Sequence, residues 1–113
     1  PYRGISFDVS REYFDIEWIK HYLVQSISLS KINYLHLHIS DDDSIPMDLP
    51  SFPDLTKYAA WSDKETYTVA QIKDLIAYAK TFGIEVIPEF DLPSHAMGFS
   101  KYPPLQDLIL CTD

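Results

Sequence analysis

The sequence predicts an α/β fold in which three parallel strands alternate with two helices. Segments with alternating apolar and polar residues indicate the strands, and segments with apolar residues at helical spacing indicate the helices. The connections between successive strands are long enough for parallel pairing, and such crossovers are right-handed almost without exception. At 113 residues the chain is long enough for one domain and too short for two.

The three predicted strands comprise residues 4–10, 32–40 and 84–90. In the second strand the side chains alternate between an apolar face and a polar face, the latter formed by Tyr34, His36, His38 and Ser40. The third strand contains Pro88, which weakens that prediction because proline cannot donate a hydrogen bond to a strand ladder.

The two predicted helices have recognisable ends. Asp15 is a plausible N-cap for a helix over residues 16–30, and Thr68 with Gln71 forms a capping box for the second helix. Gly83 is predicted to end that second helix. The apolar residues of the second helix that are predicted to face inward are Val69, Ile72, Leu75, Ile76 and Ala79.

Composition excludes several classes of function. The net charge of -8 argues against binding to nucleic acid or to anionic membranes, because both require a basic surface. No apolar run approaches the ~18 residues that a membrane-spanning helix needs. The single cysteine excludes a disulfide within the chain.

Residues 40–67 and 91–113 are predicted as long irregular segments, and loops of this length are usually functional.

Charged and polar residues follow each predicted strand. Ligands of parallel α/β folds bind at the carboxyl ends of the strands, so this convergence predicts an active site. The residues concerned are Asp8, Arg11, His38, Asp41, Asp42, Asp43, Glu89, Asp91 and His95.

Arg11 and the histidine pair each allow two interpretations. Arg11 can bind sugar hydroxyls or a substrate carboxylate, or it can form an ordinary ion pair with Asp8 or Glu12. His36 and His38 share one strand face, where they can bind a metal ion with a later acid or fill a barrel interior. The residues alone leave both alternatives open.

The acidic segments are open in the same way. Residues 41–43 can chelate calcium, hold a histidine or form a solvated turn, although the glycine and the glutamate spacing of a calcium loop are missing. Glu89 and Asp91 suit general acid/base chemistry, or one of them holds a loop through backbone N–H groups. His95 is a candidate proton relay or an ordinary surface histidine.

Five motifs in order resemble those of glycoside hydrolase family 20, the β-N-acetylhexosaminidases. Residues 3–11 (RGISFDVSR) resemble R-G-x-x-x-D-x-x-R, and residues 36–42 (HLHISDD) resemble H-W-H-L-x-D-D. Residues 51–55 resemble an aromatic-Pro-x-Leu segment, residues 67–74 the start of a Y-T-x-x-x-I/V helix, and residues 89–96 the motif E-I/F-D-x-P-G-H. The chain departs from the family at Leu37, commonly Trp, and at Ser94, commonly Gly.

The resemblance implies a fold and roles for particular residues. The family fold is a (β/α)8 barrel, so residues 1–113 would form an incomplete domain, the N-terminal part of a TIM barrel. Arg11 would bind the hydroxyls of a terminal N-acetylhexosamine, and Asp41 and His95 would form a hydrogen-bonded relay to a catalytic glutamate. Asp91 would support the same site. The histidines of the second strand would be polar scaffolding, with no metal and no cofactor.

The resemblance also implies substrate-assisted retention, in which an adjacent Asp-Glu pair acts on the substrate. No Asp-Glu dipeptide occurs in the 113 residues, so the chain is expected to be inactive alone. It is expected to assemble with the rest of the barrel or with another copy. A metal-dependent barrel hydrolase using His36, His38 and Asp91 and a non-catalytic sugar-binding member remain as alternatives. The segment around Cys111 resembles one that supplies half of a disulfide in animal-type members, which implies a lysosomal or secreted protein.

Overall fold

The sheet has three parallel strands in the order in which they occur in the chain. A computed structural model describes residues 1–108. The strands are β1 (Gly4–Asp8), β2 (Tyr34–His38) and β3 (Glu85–Glu89), each shorter than its predicted range. β1 pairs with β2 and β2 pairs with β3 over all five residues, so the three strands end in the same row. This confirms the predicted strand order and parallel pairing.

The first helix is continuous but not uniformly α-helical. It consists of α1 (Ile16–Trp18), a π-helical segment (Ile19–Val24) and α2 (Gln25–Leu29). Asp15 is the N-cap, as predicted, because its carboxylate accepts hydrogen bonds from two backbone N–H groups of the first turn. The sequence did not predict the π-helical segment. Its end residues, Ile19 and Val24, are both completely buried, so the segment packs in the core.

The segment between β2 and the second long helix contains a short helix and a small second core. Helix α3 (Leu55–Ala59) lies where an irregular loop was predicted, and it packs against the buried Ile45. Tyr67 ends the segment inside the main core, and its hydroxyl donates to the carbonyl oxygen of Phe14 at 2.5 Å. Buried apolar residues therefore order a segment that its prolines and acids suggested would be irregular.

The second long helix, α4 (Val69–Thr81), has both predicted end signals. The Thr68–Gln71 capping box is formed. Gly83 adopts a φ of 72°, and the N–H groups of Gly83 and Ile84 donate to the last helical carbonyls, as in a Schellman motif. The inward prediction was wrong for Ile76, which is 37% exposed, because no described element covers the groove between α4 and the outer edge of β3.

Pro88 lies within β3 and is compatible with it. The N–H of Glu85 donates to Asn33 on the β2 side, and the carbonyl of Glu89 accepts a hydrogen bond from Ile39. Since backbone groups alternate along a strand, the nitrogen of Pro88 faces the open edge, where no donor is required among the described residues.

The remaining described elements are short. Helix α5 (Met97–Ser100) and a 3-10 helix (Pro103–Leu108) occupy part of the segment predicted as loop. The side chains of the first long helix and of α4 cover the apolar face of the sheet and form the main core with it. Among residues 1–108, no helix has the length and hydrophobicity needed to cross a membrane. Cys111 lies outside the described residues.

We expect Thr68→Ala to lower the free energy of unfolding by about 1 kcal/mol. The substitution removes the hydroxyl that accepts the N–H of Gln71 at 3.2 Å, which leaves a donor of the first turn of α4 without its partner. Urea unfolding of the full-length protein, monitored by circular dichroism, measures the change. Thr68→Ser keeps the hydroxyl and is the matched control, so equal losses in both variants would contradict this role of the cap.

Candidate active site

Three side chains of the candidate site come from the same row of the sheet. Asp8, His38 and Glu89 are paired positions at the ends of β1, β2 and β3. Because side chains of paired residues point to the same face, the parallel register brings these three groups together. The row lies at the carboxyl edge, where the sequence predicted convergence.

His38 lies between two carboxylates. Its Nδ1 is 2.6 Å from Oε1 of Glu89, and its Nε2 is 2.8 Å from Oδ2 of Asp41. The other carboxylate oxygen of Glu89 contacts Nε2 of His36. Both ring nitrogens of His38 are therefore engaged, which is the pattern of a charged imidazolium held by two anions.

The carboxylate of Asp41 is the most buried charged group of the site. Asp41 is 2% exposed, and its Oδ2 also forms an ion pair of 2.6 Å with Arg11. Its Oδ1 accepts the N–H of Asp42 at 2.7 Å and lies 3.6 Å from Nδ1 of His95. Buried charges persist in proteins when they are paired and hydrogen-bonded, and Asp41 meets both conditions.

Arg11 connects the end of β1 to Asp41. Its NH1 lies 2.5 Å from Oδ2 of Asp8, while the other oxygen of Asp8 accepts the N–H groups of Ser10 and Arg11. Its NH2 lies 3.4 Å from Nδ1 of His95. The Arg11 side chain is still 48% exposed, so carboxylates hold both terminal nitrogens while part of the side chain remains accessible. The ion pair predicted with Asp8 is present; no hydrogen bond or ion pair with Glu12 occurs among the described residues.

The environment shifts the pKa values of the central groups. Burial disfavours the charged form of His38, but hydrogen bonds with Glu89 and Asp41 outweigh it and raise the pKa of His38 above 6.5. Burial also opposes ionisation of Asp41, yet hydrogen bonds from His38 and the Asp42 N–H hold its pKa below 3.8. The hydrogen bond from His38 is the largest cause of the lowered pKa of Glu89. The site therefore favours a charged His38 between two charged carboxylates.

Asp8 is shifted in the same direction. Burial raises the pKa of Asp8, but the N–H groups of Arg11 and Ser10 and the Arg11 guanidinium together bring it below 3.8. The hydrogen bond with Asp8 in turn is the largest cause of the raised pKa of Arg11.

Asp91 and His95 follow β3 and lie at two sides of the cluster. The N–H of Asp91 donates to Oγ of Ser40 at 2.9 Å. Carboxylate oxygens of Asp91 and Glu89 and a ring nitrogen of His38 lie within 4.8 Å of one another. His95 has a φ of 53°, and its ring meets that of His38 edge-on at 6.5 Å. The positive φ therefore lies on His95 and not on Ser94, where the family commonly has glycine.

The metal interpretation of His36, His38 and Asp91 does not match how the structure groups these residues. Within residues 1–108, three sets of donor atoms lie within 4.8 Å of one another: Asp8 with His38 and Asp41, His38 with Glu89 and Asp91, and Asp41 with Asp42 and His95. His36 belongs to none of them. The nitrogens of His38 are occupied by carboxylates, which fits the alternative of polar scaffolding.

The structure brings together Arg11, Asp41 and His95, as the sequence predicted, and places Asp91 beside them. The sequence placed His38 and Glu89 among the converging residues but did not predict that His38 lies between Glu89 and Asp41. A usable signal was present, because both are the last residues of their strands and a parallel register makes such residues neighbours. What the sequence could not give was the register itself.

The chain is similar to proteins of one known family. Residues 1–108 match the family described as "Glycosyl hydrolase family 20, catalytic domain". The chain belongs to glycosyl hydrolase family 20. This confirms the family that the five motifs predicted.

Relatives from this family are similar over nearly the whole chain. Beta-hexosaminidase subunit A1 of Dictyostelium discoideum is 42% identical over 93% of the chain and 20% of its own length. Beta-hexosaminidase 1 of Arabidopsis thaliana is 40% identical over 99% of the chain and 20% of its own length. The chain thus spans about one fifth of the curated relatives that it matches.

Solved structures of family 20 show the same architecture. The GH20 exo-β-N-acetylglucosaminidase from Vibrio harveyi, solved in complex with N-acetylglucosamine, superposes with a TM-score of 0.85. It is 31% identical, and the match covers 98% of this chain and 19% of that structure. The three parallel strands with their helices are therefore part of an α/β barrel, as predicted.

We expect His38→Gln to remove a pH-dependent part of the stability. Because the folded protein raises the pKa of His38, its protonated form stabilises the fold fully below pH 6.5. That stabilisation is lost as the pH rises through the raised pKa. The free energy of unfolding of the wild type should therefore fall relative to that of His38→Gln above about pH 6.5, by about 1.4 kcal/mol for each pH unit by which the pKa of His38 in the folded protein exceeds 6.5.

Urea unfolding of the full-length wild type and variant between pH 5 and pH 9 measures this difference. Asp41 and Glu89 affect the stability in the acid range instead. Because their pKa values are lowered in the folded protein, the two carboxylates stabilise the fold above pH 3.8 and 4.5, and this stabilisation is lost on further acidification. His21→Gln, at an exposed histidine on the first helix, is the matched control. A wild-type-to-variant difference that stays constant from pH 5 to pH 9 would contradict the charged His38.

Proposed function

We propose that residues 1–113 are the N-terminal part of the catalytic barrel of a retaining β-N-acetylhexosaminidase. The observation that carries the proposal is the cluster of Arg11, Asp41 and His95 at the carboxyl ends of the strands, in a chain of glycosyl hydrolase family 20. The names of the relatives support a glycan with a terminal N-acetylhexosamine as the substrate. The proposal includes neither a metal nor a cofactor.

Arg11 binds the hydroxyls of the terminal sugar in this proposal. A guanidinium carries five N–H donors, and the contacts with Asp8 and Asp41 engage NH1 and NH2 respectively. The remaining N–H groups of this side chain, which is 48% exposed, are donors for a ligand. Two carboxylates fix the orientation of the side chain, so sugar binding orders few additional rotatable bonds.

Asp41 and His95 form a proton relay to a glutamate from another part of the protein. The ionised Asp41 lies 3.6 Å from Nδ1 of His95, and a small approach converts this contact into a hydrogen bond. The Asp41 anion then stabilises a proton on the His95 ring, and His95 adjusts the proton affinity of the glutamate. Asp91 supports the site from its position beside His38 and Glu89.

The chemistry proposed is substrate-assisted hydrolysis, which the family is known to use in place of a protein nucleophile. The 2-acetamido oxygen bonds to the anomeric carbon as the glycosidic C–O bond breaks, and the glutamate gives its proton to the leaving oxygen. Water then attacks the anomeric carbon of the oxazolinium ion, the bond to the acetamido oxygen breaks, and the glutamate takes up the water proton. An adjacent aspartate orients the acetamido group. No Asp-Glu dipeptide occurs in residues 1–113, so the pair comes from elsewhere in the protein.

We expect Arg11→Ala in the full-length protein to lower kcat/KM for a chromogenic N-acetylglucosaminide by about 10- to 150-fold. This range corresponds to the loss of one hydrogen bond from a charged donor, about 1.5–3 kcal/mol. The kcat/KM of Arg11→Lys should lie between those of the wild type and Arg11→Ala, because lysine keeps the positive charge but not the forked guanidinium.

The control for this test is Lys57→Ala, which removes an exposed cation that pairs only with Asp54 among the described residues. Unchanged kcat/KM in Arg11→Ala would contradict the role of Arg11. Sugar binding without turnover in the wild type would indicate the non-catalytic alternative, and activity dependent on added metal would indicate the metal-dependent one.

The chain on its own is proposed to be inactive and to associate, either with the rest of the barrel or with further copies. Both outer strands of the sheet have unpaired edges among the described residues, and open edges promote association. Expressed alone, the chain should sediment as oligomers in analytical ultracentrifugation.

Ile5→Lys should reduce this association, because it introduces a charge on the edge strand β1 at a residue that is 37% exposed. Leu29→Lys, at a position that is 87% exposed on the end of α2, is the matched control. A monodisperse wild-type monomer with cooperative unfolding would contradict the prediction.

A lysosomal or secreted location is part of the same proposal. Its support is the likeness of the segment around Cys111 to a disulfide-forming segment of animal-type members, since disulfides persist in oxidising compartments.

A further inference from the structure

The segment that carries His95 is attached at both ends to three consecutive residues after β2. Before His95, the N–H of Asp91 donates to Oγ of Ser40 at 2.9 Å. After His95, the N–H of Met97 donates to Oδ1 of Asp42 at 2.9 Å. Ser40, Asp42 and the intervening Asp41 thus connect the end of β2 with the loop after β3.

The third attachment is a close approach of two backbones. The N–H of Gly98 donates to the carbonyl oxygen of Asp41 at 3.2 Å. A Cβ on Gly98 would collide with that same oxygen and with the side chain of Ile45. Only glycine therefore allows α5 to begin against the residue whose carboxylate faces His95.

His95 itself has a backbone conformation that needs such support. Its φ of 53° lies in the left-handed region, which non-glycine residues adopt at a cost unless the surroundings fix it. The ring is 46% exposed, and it makes no described hydrogen bond other than the 3.4 Å contact with Arg11. The attachments at both ends of the segment, more than contacts of the ring, determine where His95 lies.

We propose that Asp42 is a positioning residue, which holds the His95 segment so that the imidazole faces Asp41. The inference rests on the proposed function, because it concerns the relay assigned there to Asp41 and His95. Asp42 makes no described contact with Arg11 or His38, and its side chain reaches the relay through the N–H of Met97, two residues after His95. A substitution of Asp42 also disturbs the packing less than one of Ser40 or Asp41, since those two residues are almost completely buried.

Asp42 has a second possible effect on His95, through its charge. Its carboxylate oxygen lies within 4.8 Å of donor atoms of both Asp41 and His95. Asp42→Asn separates the two effects, because an amide oxygen still accepts the Met97 N–H but carries no charge. Asp42→Ala removes both.

The test uses the full-length protein and steady-state kinetics over a range of pH. Asp42→Ala should lower kcat by about 10- to 100-fold, which is typical of an ångström-scale displacement of a catalytic group, with KM changed less than about twofold. It should also shift the limb of the pH–kcat profile that reports the relay. Asp42→Asn should restore kcat to within about threefold of the wild type. Asp43→Ala, at the exposed neighbour whose backbone carbonyl accepts from Lys101, is the matched control.

Hydrogen exchange of the peptide that contains residues 93–98 provides a readout independent of activity. Exchange should be faster in Asp42→Ala than in the wild type, and it should be restored in Asp42→Asn. This measurement tests the attachment even if the wild type has no hydrolase activity, an outcome that would refute the proposed function instead.

Three results would overturn the inference. The first is kcat and exchange in Asp42→Ala equal to those of the wild type. The second is an Asp42→Asn variant as impaired as Asp42→Ala, since charge would then be responsible. The third is equal impairment in Asp43→Ala, which would indicate a nonspecific effect on the loop.

Discussion

The buried negative charge of Asp41 has to be balanced locally, and the candidate site is organised around that requirement. An unpaired buried carboxylate is costly, yet Asp41 remains ionised because Arg11 and His38 both reach its Oδ2. Arg11 follows β1 and His38 ends β2, and the two cations are held in place by further carboxylates, those of Asp8 and Glu89. The result is an alternating network of charges in which each group has its neighbours fixed.

The parallel sheet makes this network possible. Asp8, His38 and Glu89 come from positions more than 80 residues apart at the extremes, and their adjacency depends only on the strands ending in one row. A shift of one residue in either pairing would turn one side chain to the opposite face. The main core, which lies between the helices and the apolar face of the sheet, therefore also fixes the electrostatics of its carboxyl edge.

Each group of the network is fixed in a different way. His38 is on a strand and is enclosed by neighbours, whereas His95 is on a loop, half-exposed and in a left-handed backbone conformation. The sheet thus positions His38, whereas the segment after β3, attached to Ser40, Asp41 and Asp42, positions His95. In the proposed relay, the 3.6 Å contact between His95 and Asp41 would shorten to a hydrogen bond.

Local signals in the sequence determined the helix ends, the strand alternation and the family. Asp15, the Thr68–Gln71 capping box and Gly83 act within a few residues of themselves, so they could be read directly. The tertiary structure alone decided the pairing of His38 with Glu89, the exposure of Ile76 and the attachment of the His95 segment, since these depend on groups far away in the chain. The physical reason is that a hydrogen bond across 50 residues follows from strand register and core packing, and neither leaves a pattern at the residues that form the bond.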